Sequence, residues 1–127
     1  MKLQLERDLL LTEIEVRHQQ KTIVFKRVLV DTGSGTTVLS RSLLKEAGIV
    51  LHIEDEPLRI RGIGGSEMVF QKQFDSIRCG EFKLPKFKAQ LSFMNYGVQI
   101  DGILGLDFLI AVDALLDLKN LEIRKAI

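Results

Sequence analysis

A short apolar strand that ends in an acid is the most constraining feature of this sequence. Residues 28–30, Val-Leu-Val, are followed at once by Asp31, Thr32 and Gly33. Thr32 supplies a hydroxyl that can hold a turn by hydrogen bonding, and Gly33 lets the backbone pass close to whatever the carboxylate contacts. The pattern therefore predicts a buried strand that delivers one carboxylate, Asp31, to the start of a sharp turn.

Length and composition indicate an ordinary globular domain. The 127 residues are 46% hydrophobic and 28% charged, which is enough for one core and too little chain for two lobes. A single domain over residues 1–127 is therefore expected. The net charge of +1 without a basic run offers no electrostatic footprint for nucleic acid. Residues 107–118 are apolar but too short and too interrupted by acids to span a bilayer, so no membrane partner is expected either.

The few cysteines and histidines predict no cofactor and no metal. The single Cys79 excludes an intramolecular disulfide and a cysteine-rich metal site, and it is expected to be a small hydrophobic residue at a strand end. His18 and His52 lack metal-ligand spacing and are expected at the surface. Residues 33–37 lack the lysine and glycine spacing of a phosphate-binding loop. With no secretory signal visible at the N-terminus, a reducing, cytoplasmic setting is expected.

Alternation of apolar and polar residues predicts mostly strands. Hairpin turns are expected at residues 18–21, at the glycine-rich residues 62–65, at Cys79-Gly80 within a hairpin from Phe74 to Phe93, and at Lys119-Asn120. Ser40 is placed to cap a short helix that stops at Gly48. Residues 100–112 predict a strand that ends in glycine and then a second short helix. The expected fold class is all-β with one or two short helices.

A single carboxylate needs a partner to carry out acid–base catalysis. Two carboxylates that share one proton can activate a water with one member and protonate a carbonyl oxygen with the other. The chain holds a single Asp-Thr-Gly, so such a pair requires a second copy of Asp31 across the two-fold axis of a homodimer. Asp101 and Asp107 flank the predicted strand near residue 103. We expect Asp101 to be a solvated loop residue and Asp107 a helix-end or structural hydrogen-bond acceptor.

Four segments, in order, carry a family resemblance. They are Asp31-Thr32-Gly33-Ser34, Gly62-Ile63-Gly64-Gly65, Cys79-Gly80 and Ile103-Leu104-Gly105. In this order they resemble the retropepsin-like single-domain aspartic proteases, which include retroviral proteases and their bacterial and eukaryotic relatives. The resemblance covers most of residues 12–124. It implies a closed barrel with a catalytic loop, a glycine-rich flap hairpin, a hairpin after the flap and a strand behind the catalytic loop.

The resemblance also implies a function. The chain would be a homodimeric aspartic endopeptidase that cleaves peptide or protein substrates. Asp31 of each copy would flank one water, Thr32 would join the two catalytic loops across the dimer axis, and Gly33 would accept a hydrogen bond from the substrate through its carbonyl. The flap tip from Ile63 through Gly64 to Gly65 would close over the substrate and exclude water.

Two positions depart from the retroviral pattern. Gly35 occupies the position where the retroviral enzymes carry an acid. The contacts that this acid makes to the ends of the substrate therefore do not carry over to this chain. The segment after Gly105 resembles the non-viral relatives, which have an Asp at the position of Asp107 and a longer closing hairpin. The sequence therefore leaves open whether the dimer interface differs from the interleaved termini of the viral enzymes.

The competing interpretation is a non-catalytic module of the same fold that binds peptides or dimerises. The presence of Asp31, Thr32 and Gly33 together favours the enzyme, because binding alone needs no ionisable pair. A domain cut from a longer protein is a third interpretation that the sequence leaves open.

Overall fold

In the computed structural model the described residues are 1–49, 56–62, 65–94 and 97–126, with the backbone alone for residues 56–62 and 65–69. Three residues that the sequence singled out, Ile63 and Gly64 of the predicted flap tip and His52, lie outside the described residues. Gly65 lies within them.

Strands dominate the described part of the chain, as the sequence predicts. The strands are β1 (Gln4–Glu6), β2 (Leu9–His18), β3 (Lys21–Val30), β4 (Val38–Ser40), β5 (Glu56–Gly62), β6 (Gly65–Cys79), β7 (Phe82–Ser92), β8 (Gly102–Leu104), β9 (Ala114–Asp117) and β10 (Glu122–Lys125). The helices are α1 (Arg41–Glu46) and α2 (Leu106–Ala111).

Six of these strands close into a barrel. Strands β2, β3, β8, β4, β7 and β6 are neighbours in that order, and β6 pairs again with β2. Strand β1 adds to β2 and β5 adds to β6 on the outside of this ring. The predicted all-β closed barrel with two short helices is confirmed. Closure makes the barrel a rigid frame, because each strand of the ring is held on both sides.

The short strand β8 places the end of β3. It runs parallel to β3 and antiparallel to β4, and Val30 is opposite Leu104 in this register. Gly102 is needed at the start of β8, because a Cβ there would lie 2.8 Å from the Val38 carbonyl oxygen of β4. The residues that follow Val30 and Leu104 therefore emerge side by side from the same end of the barrel.

The predicted turns and caps are confirmed by backbone geometry. The Ser40 side chain accepts a hydrogen bond from the Leu43 N–H at 3.3 Å, and Gly48 follows α1 with a φ of +82°. The left-handed conformation at Gly48 is one that glycine adopts without steric cost. The closing hairpin of β9 and β10 turns over residues 118–121, as its sequence predicts.

The hairpin predicted from Phe74 through Cys79-Gly80 to Phe93 is confirmed, since β6 and β7 pair from Phe74 with Phe87 to Cys79 with Phe82. Strand β6 runs without interruption from Gly65 to Cys79, so this hairpin and the predicted flap hairpin share one strand of 15 residues.

The prediction that His18 lies at the surface is wrong. The residue is buried, at 9% exposed. Its ring meets the ring of Phe74 edge to face, with centroids 5.4 Å apart. The polar neighbours of His18 in the sequence gave no sign of this packing.

Each helix covers six residues, and among the described residues no helix is long and apolar enough to cross a membrane.

Phe25→Ala tests the barrel core. Phe25 is fully buried, whereas Val24 beside it on β3 is 43% exposed. We expect Phe25→Ala to lower the free energy of unfolding by about 3–5 kcal/mol, because the missing ring leaves a cavity. Val24→Ala, the matched control, should change it by less than about 0.5 kcal/mol. Urea unfolding followed by circular dichroism measures both, and equal losses would contradict the assignment of Phe25 to the core.

Candidate active site

Asp31 is the first residue after β3. Its N–H donates to the Leu104 carbonyl at 3.0 Å, and its Oδ1 accepts a hydrogen bond from the Gly33 N–H at 2.9 Å. A Cβ at position 33 would lie only 3.1 Å from that same oxygen, so glycine leaves the carboxylate room. The backbone of Asp31 is thus tied to β8 while its half-buried carboxylate stays within reach of solvent.

The turn after Asp31 belongs to a loop that we call the acid loop, residues 31–37. The Ser34 N–H donates to the Asp31 carbonyl at 3.1 Å, and the Leu106 N–H donates to the Ser34 carbonyl at 2.8 Å. The Ser34 hydroxyl donates to the Thr36 carbonyl at 2.7 Å. Thr32, Gly33 and Gly35 are exposed. One side of the loop is fastened to the protein and the other side faces outward.

Asp107 holds the far end of the acid loop. Its Oδ2 accepts from the Thr37 N–H at 2.9 Å, and its Oδ1 accepts from the Thr37 hydroxyl at 2.7 Å. The same Oδ1 also accepts from the Phe108 N–H at 2.8 Å, at the first turn of α2. The Thr37 oxygen in turn accepts from the Gly105 N–H at 3.1 Å. The prediction that Asp107 is a structural hydrogen-bond acceptor is confirmed.

Gly105 lets β8 and the acid loop pack directly against each other. A Cβ at this position would collide with the carbonyl group of Thr36 and lie 2.9 Å from the Ser34 oxygen. Both are backbone atoms, so no side chain can move aside to make room. The glycine of the Ile103-Leu104-Gly105 segment is therefore required by the close approach of two stretches of backbone.

Gln90, which supports the acid loop, was missed from the sequence, and Asp101, which bonds to Arg27 of β3, was misjudged. Gln90 of β7 accepts from the Thr36 hydroxyl at 3.0 Å and donates its N–H to the Thr37 carbonyl at 2.9 Å. Asp101, predicted to be solvated, is half-buried and accepts from the Arg27 N–H at 3.0 Å. Its own N–H donates to the Arg27 carbonyl at 2.7 Å. The position of Asp101 just before β8 was the clue in the sequence, because an acid at a strand start can accept a hydrogen bond from an unpaired backbone N–H.

The predicted site residues fall into two groups in space. Asp31, Thr32 and Gly33 lie together at the start of the acid loop. Gly65 begins β6 and is opposite Gly62 at the end of the β5–β6 hairpin, while Ile63 and Gly64 are not among the described residues. The Asp101 carboxylate accepts a hydrogen bond from a backbone N–H, and the Asp107 carboxylate accepts hydrogen bonds from the N–H and the hydroxyl of Thr37. Neither of them is therefore placed to act as a second acid beside Asp31.

Cys79 does not offer a reactive thiol. It is fully buried at the end of β6, with its sulfur 3.7 Å from the Thr12 hydroxyl. Burial raises the pKa of the Cys79 thiol, and the Thr12 hydroxyl only partly opposes this. The thiol is therefore neutral and inaccessible, which excludes it as a nucleophile. Within the described ranges no group of three or more histidines, cysteines or acids could hold a metal ion.

A family model with the description "Aspartyl protease" matches residues 14–108. This range runs from β2 to α2 and includes the acid loop, β8 and Asp107. No curated protein matches the sequence.

Asp107→Ala tests the anchor of the acid loop. Thr37 is fully buried, so removing the carboxylate leaves its N–H and hydroxyl without an acceptor. We expect the free energy of unfolding to fall by about 1–3 kcal/mol. Asp75→Ala is the matched control, since the exposed Asp75 accepts one hydrogen bond, from the Gln19 N–H, and its loss should cost less than about 0.5 kcal/mol. Urea unfolding compares the two, and an Asp107→Ala protein as stable as the control would show that the anchor contributes nothing.

Proposed function

The chain belongs to a family of aspartyl proteases, and we propose that it is an aspartic endopeptidase whose active unit is a homodimer of one-domain subunits. Family membership supports a protease, and hence a peptide or protein substrate, in general terms. The choice of Asp31 as the catalytic acid, and the pairing of two copies, are our proposal.

The presentation of Asp31 is the observation that carries this proposal. The carboxylate is half-buried at the end of a barrel strand, and in the described part of the chain its hydrogen-bond donor is the Gly33 N–H. A carboxylate can accept about four hydrogen bonds, so this one keeps capacity for a water and for a second carboxylate. The Asp107 carboxylate, by contrast, accepts hydrogen bonds from three donors, as expected of an acid with a structural role.

Two Asp31 carboxylates across a dimer axis would share one proton, because two adjacent negative charges repel each other. The ionised member removes a proton from a water as the water oxygen attacks the peptide carbonyl carbon. The protonated member gives its proton to the carbonyl oxygen, which forms a neutral tetrahedral intermediate. The member that took the proton from water then gives it to the amide nitrogen, while the other member removes a proton from one hydroxyl of the intermediate. The C–N bond breaks to release a carboxylic acid and an amine, and the pair again holds one shared proton.

The anchoring of the acid loop supports this chemistry. Proton sharing requires the two carboxylates to stay within hydrogen-bonding distance, so each must be held in position before substrate arrives. The Asp31 backbone is bound to Leu104, and the loop end is bound through Thr37 to Asp107. We assign Thr32, exposed beside Asp31, to contacts between the two acid loops.

Substrate binding is assigned to Gly33 and to the flap. An extended peptide can add to protein backbone as an extra strand, and the exposed Gly33 offers a carbonyl for this purpose next to the acid. The β5–β6 hairpin pairs in register up to Gly62 and Gly65, which supports a flap whose tip, Ile63 to Gly65, covers the bound peptide. Closing of the tip would exclude water from the reacting bond.

Asp31→Asn tests the catalytic acid. An amide of the same shape can neither act as base nor hold the shared proton, so we expect peptide cleavage to fall about a thousandfold or more with the fold intact. Turnover is measured on a library of peptides, and Asp75→Asn serves as the control for loss of one exposed carboxylate. Retained turnover in purified Asp31→Asn would contradict the assignment of Asp31 as the catalytic acid. A wild-type protein that binds peptides but cleaves none would favour the non-catalytic module.

Dilution and subunit mixing test the shared pair. Activity per chain should fall when wild type is diluted through its dimer dissociation constant, because the single chain supplies one Asp31. Excess Asp31→Asn chains should lower the activity of a fixed amount of wild type, since exchange forms heterodimers with one acid and one amide. If heterodimers are confirmed by native mass spectrometry and activity stays constant, one Asp31 suffices and the shared-proton mechanism is wrong.

A further inference from the structure

A cavity of about 700 Å³ lies beside α1, where the ends of β4 and β7 pair with each other. Its apolar walls include Leu44 of α1, Leu91 of β7 and Phe93, which directly follows β7. We call this cavity the Arg41 pocket, after the first residue of α1, which also lines it. A cavity of this size holds a ligand larger than one side chain.

The charged residues of the Arg41 pocket are mostly cationic. Among the described residues that line it, Arg41, Lys45 and Lys72 carry positive charges and Glu46 carries a negative one. Lys72 is buried, whereas Lys45 and Glu46 are exposed. A cationic wall beside apolar side chains favours a ligand that combines a negative charge with apolar groups.

Two aromatic rings position the Arg41 side chain. Its Cζ lies 5.1 Å from the centroid of the Phe70 ring and 4.6 Å from that of the Phe93 ring, both within cation–π distance. The rings attract the charge of the guanidinium group but do not satisfy its five N–H donors. Within the described residues no oxygen accepts a hydrogen bond from Arg41. Arg41 is thus a positioned cation whose donors remain available to a ligand.

A carboxylate beside an apolar group suits this pocket better than a phosphate. The planar carboxylate matches two parallel N–H groups of a guanidinium. A phosphate group carries between about 1.5 and 2 negative charges at neutral pH, so Glu46 on the same wall repels it more strongly. Phe93 is 67% exposed and offers apolar surface to a group next to the carboxylate.

The family indicates where such a carboxylate comes from. Membership of an aspartyl protease family supports a peptide or protein substrate. The pocket and the acid loop are also carried by the same two strands: Arg41 ends the segment that runs from the acid loop through β4. On β7, Gln90 accepts a hydrogen bond from Thr36 of the acid loop, and its neighbour Leu91 lines the pocket. The choice of a substrate as the source of the carboxylate rests on the proposed function.

We propose that the Arg41 pocket binds an acidic side chain of the peptide substrate together with an apolar neighbour, away from the bond that is cleaved. Arg41 binds the carboxylate of an Asp or Glu, and Phe93 and Leu91 pack against the apolar neighbour. The pocket thus selects substrates that carry an acidic residue next to an apolar one, and it takes no part in the chemistry.

Arg41→Gln tests the pocket. Binding is measured by NMR titration of Asp31→Asn protein, so that peptides are not cleaved. The ligands are heptapeptides with blocked ends that place one Glu between apolar residues, and the same peptides with Gln instead. We expect the Glu peptides to bind about tenfold or more tightly, because a charge-assisted hydrogen bond is lost with Gln, and Arg41→Gln should abolish this preference.

Arg78→Gln is the matched control. Arg78 is also on a strand of the barrel wall and is exposed, and it lies six residues after Lys72, about 20 Å along β6. Its loss removes the same charge, so a general electrostatic effect would weaken binding in both variants. We expect Arg78→Gln to keep the preference for Glu peptides. Circular dichroism and thermal unfolding check that both variants fold.

The positions of the shifted amides give a second measurement that needs no variant of the pocket. Glu peptides should change the amide signals of residues 41–46 and 91–93 and leave those of β9 and β10 unchanged. This result decides the question even if Arg41→Gln proves unstable.

Four outcomes would overturn the proposal: equal binding of Glu and Gln peptides, a preference for Glu that survives Arg41→Gln, amide changes confined to other segments, or no binding at the highest concentration. Peptides with phosphoserine in place of Glu complete the comparison. If they bind more tightly than the Glu peptides, and do so through Arg41, the pocket is a phosphate site and the carboxylate assignment is wrong.

Peptide cleavage by protein with Asp31 intact separates this proposal from the proposed function. If Arg41→Gln raises KM for Glu peptides alone and leaves kcat unchanged, both are supported. Binding of Glu peptides at the pocket without any cleavage supports the pocket and contradicts the enzyme. Cleavage with equal KM for Glu and Gln peptides contradicts the pocket and leaves the proposed function in place.

Discussion

The hydrogen bonds between Asp107 and Thr37 are the interaction on which the site depends. Two carboxylate oxygens fix a backbone N–H and a hydroxyl of the acid loop, and the same threonine receives the N–H of Gly105. The acid loop, β8 and α2 are joined at this one point. Because Thr37 is fully buried, no water can replace the carboxylate as acceptor, so separating these elements would leave buried donors unpaired.

The barrel makes this local arrangement stiff. Strand β8 lies between β3 and β4, and the closed ring around it holds both neighbours. Glycines at positions 102 and 105 let backbone approach backbone without a side chain between them. The barrel therefore leaves Asp31, at the end of β3, little freedom to move. The next two residues, Thr32 and Gly33, are exposed. A rigid support beneath a half-buried acid is what a preorganised catalytic group requires.

The proposed function links assembly and chemistry through Asp31. One chain holds a single Asp-Thr-Gly, whereas the proposed pair needs two acids. The two-fold axis of a homodimer would supply the second acid. Such a design lets a chain of 127 residues form a two-acid site, and it makes activity respond to protein concentration.

Local chemistry in the sequence determined the strand that ends at Asp31, the hairpin turns and the Ser40 cap. These features depend on residues close together in the chain, so pattern and propensity were sufficient, and the ordered motifs indicated the family. The need for glycine at position 105 comes instead from its contact with Ser34 and Thr36, far away in the chain. The tertiary structure alone decided the burial of His18 against Phe74, the pairing of Asp101 with Arg27, the role of Gln90 and the return of β6 to β2. Each of these joins residues far apart in the chain, and which distant groups meet is set by the packing of the whole barrel and not by the neighbours of either residue.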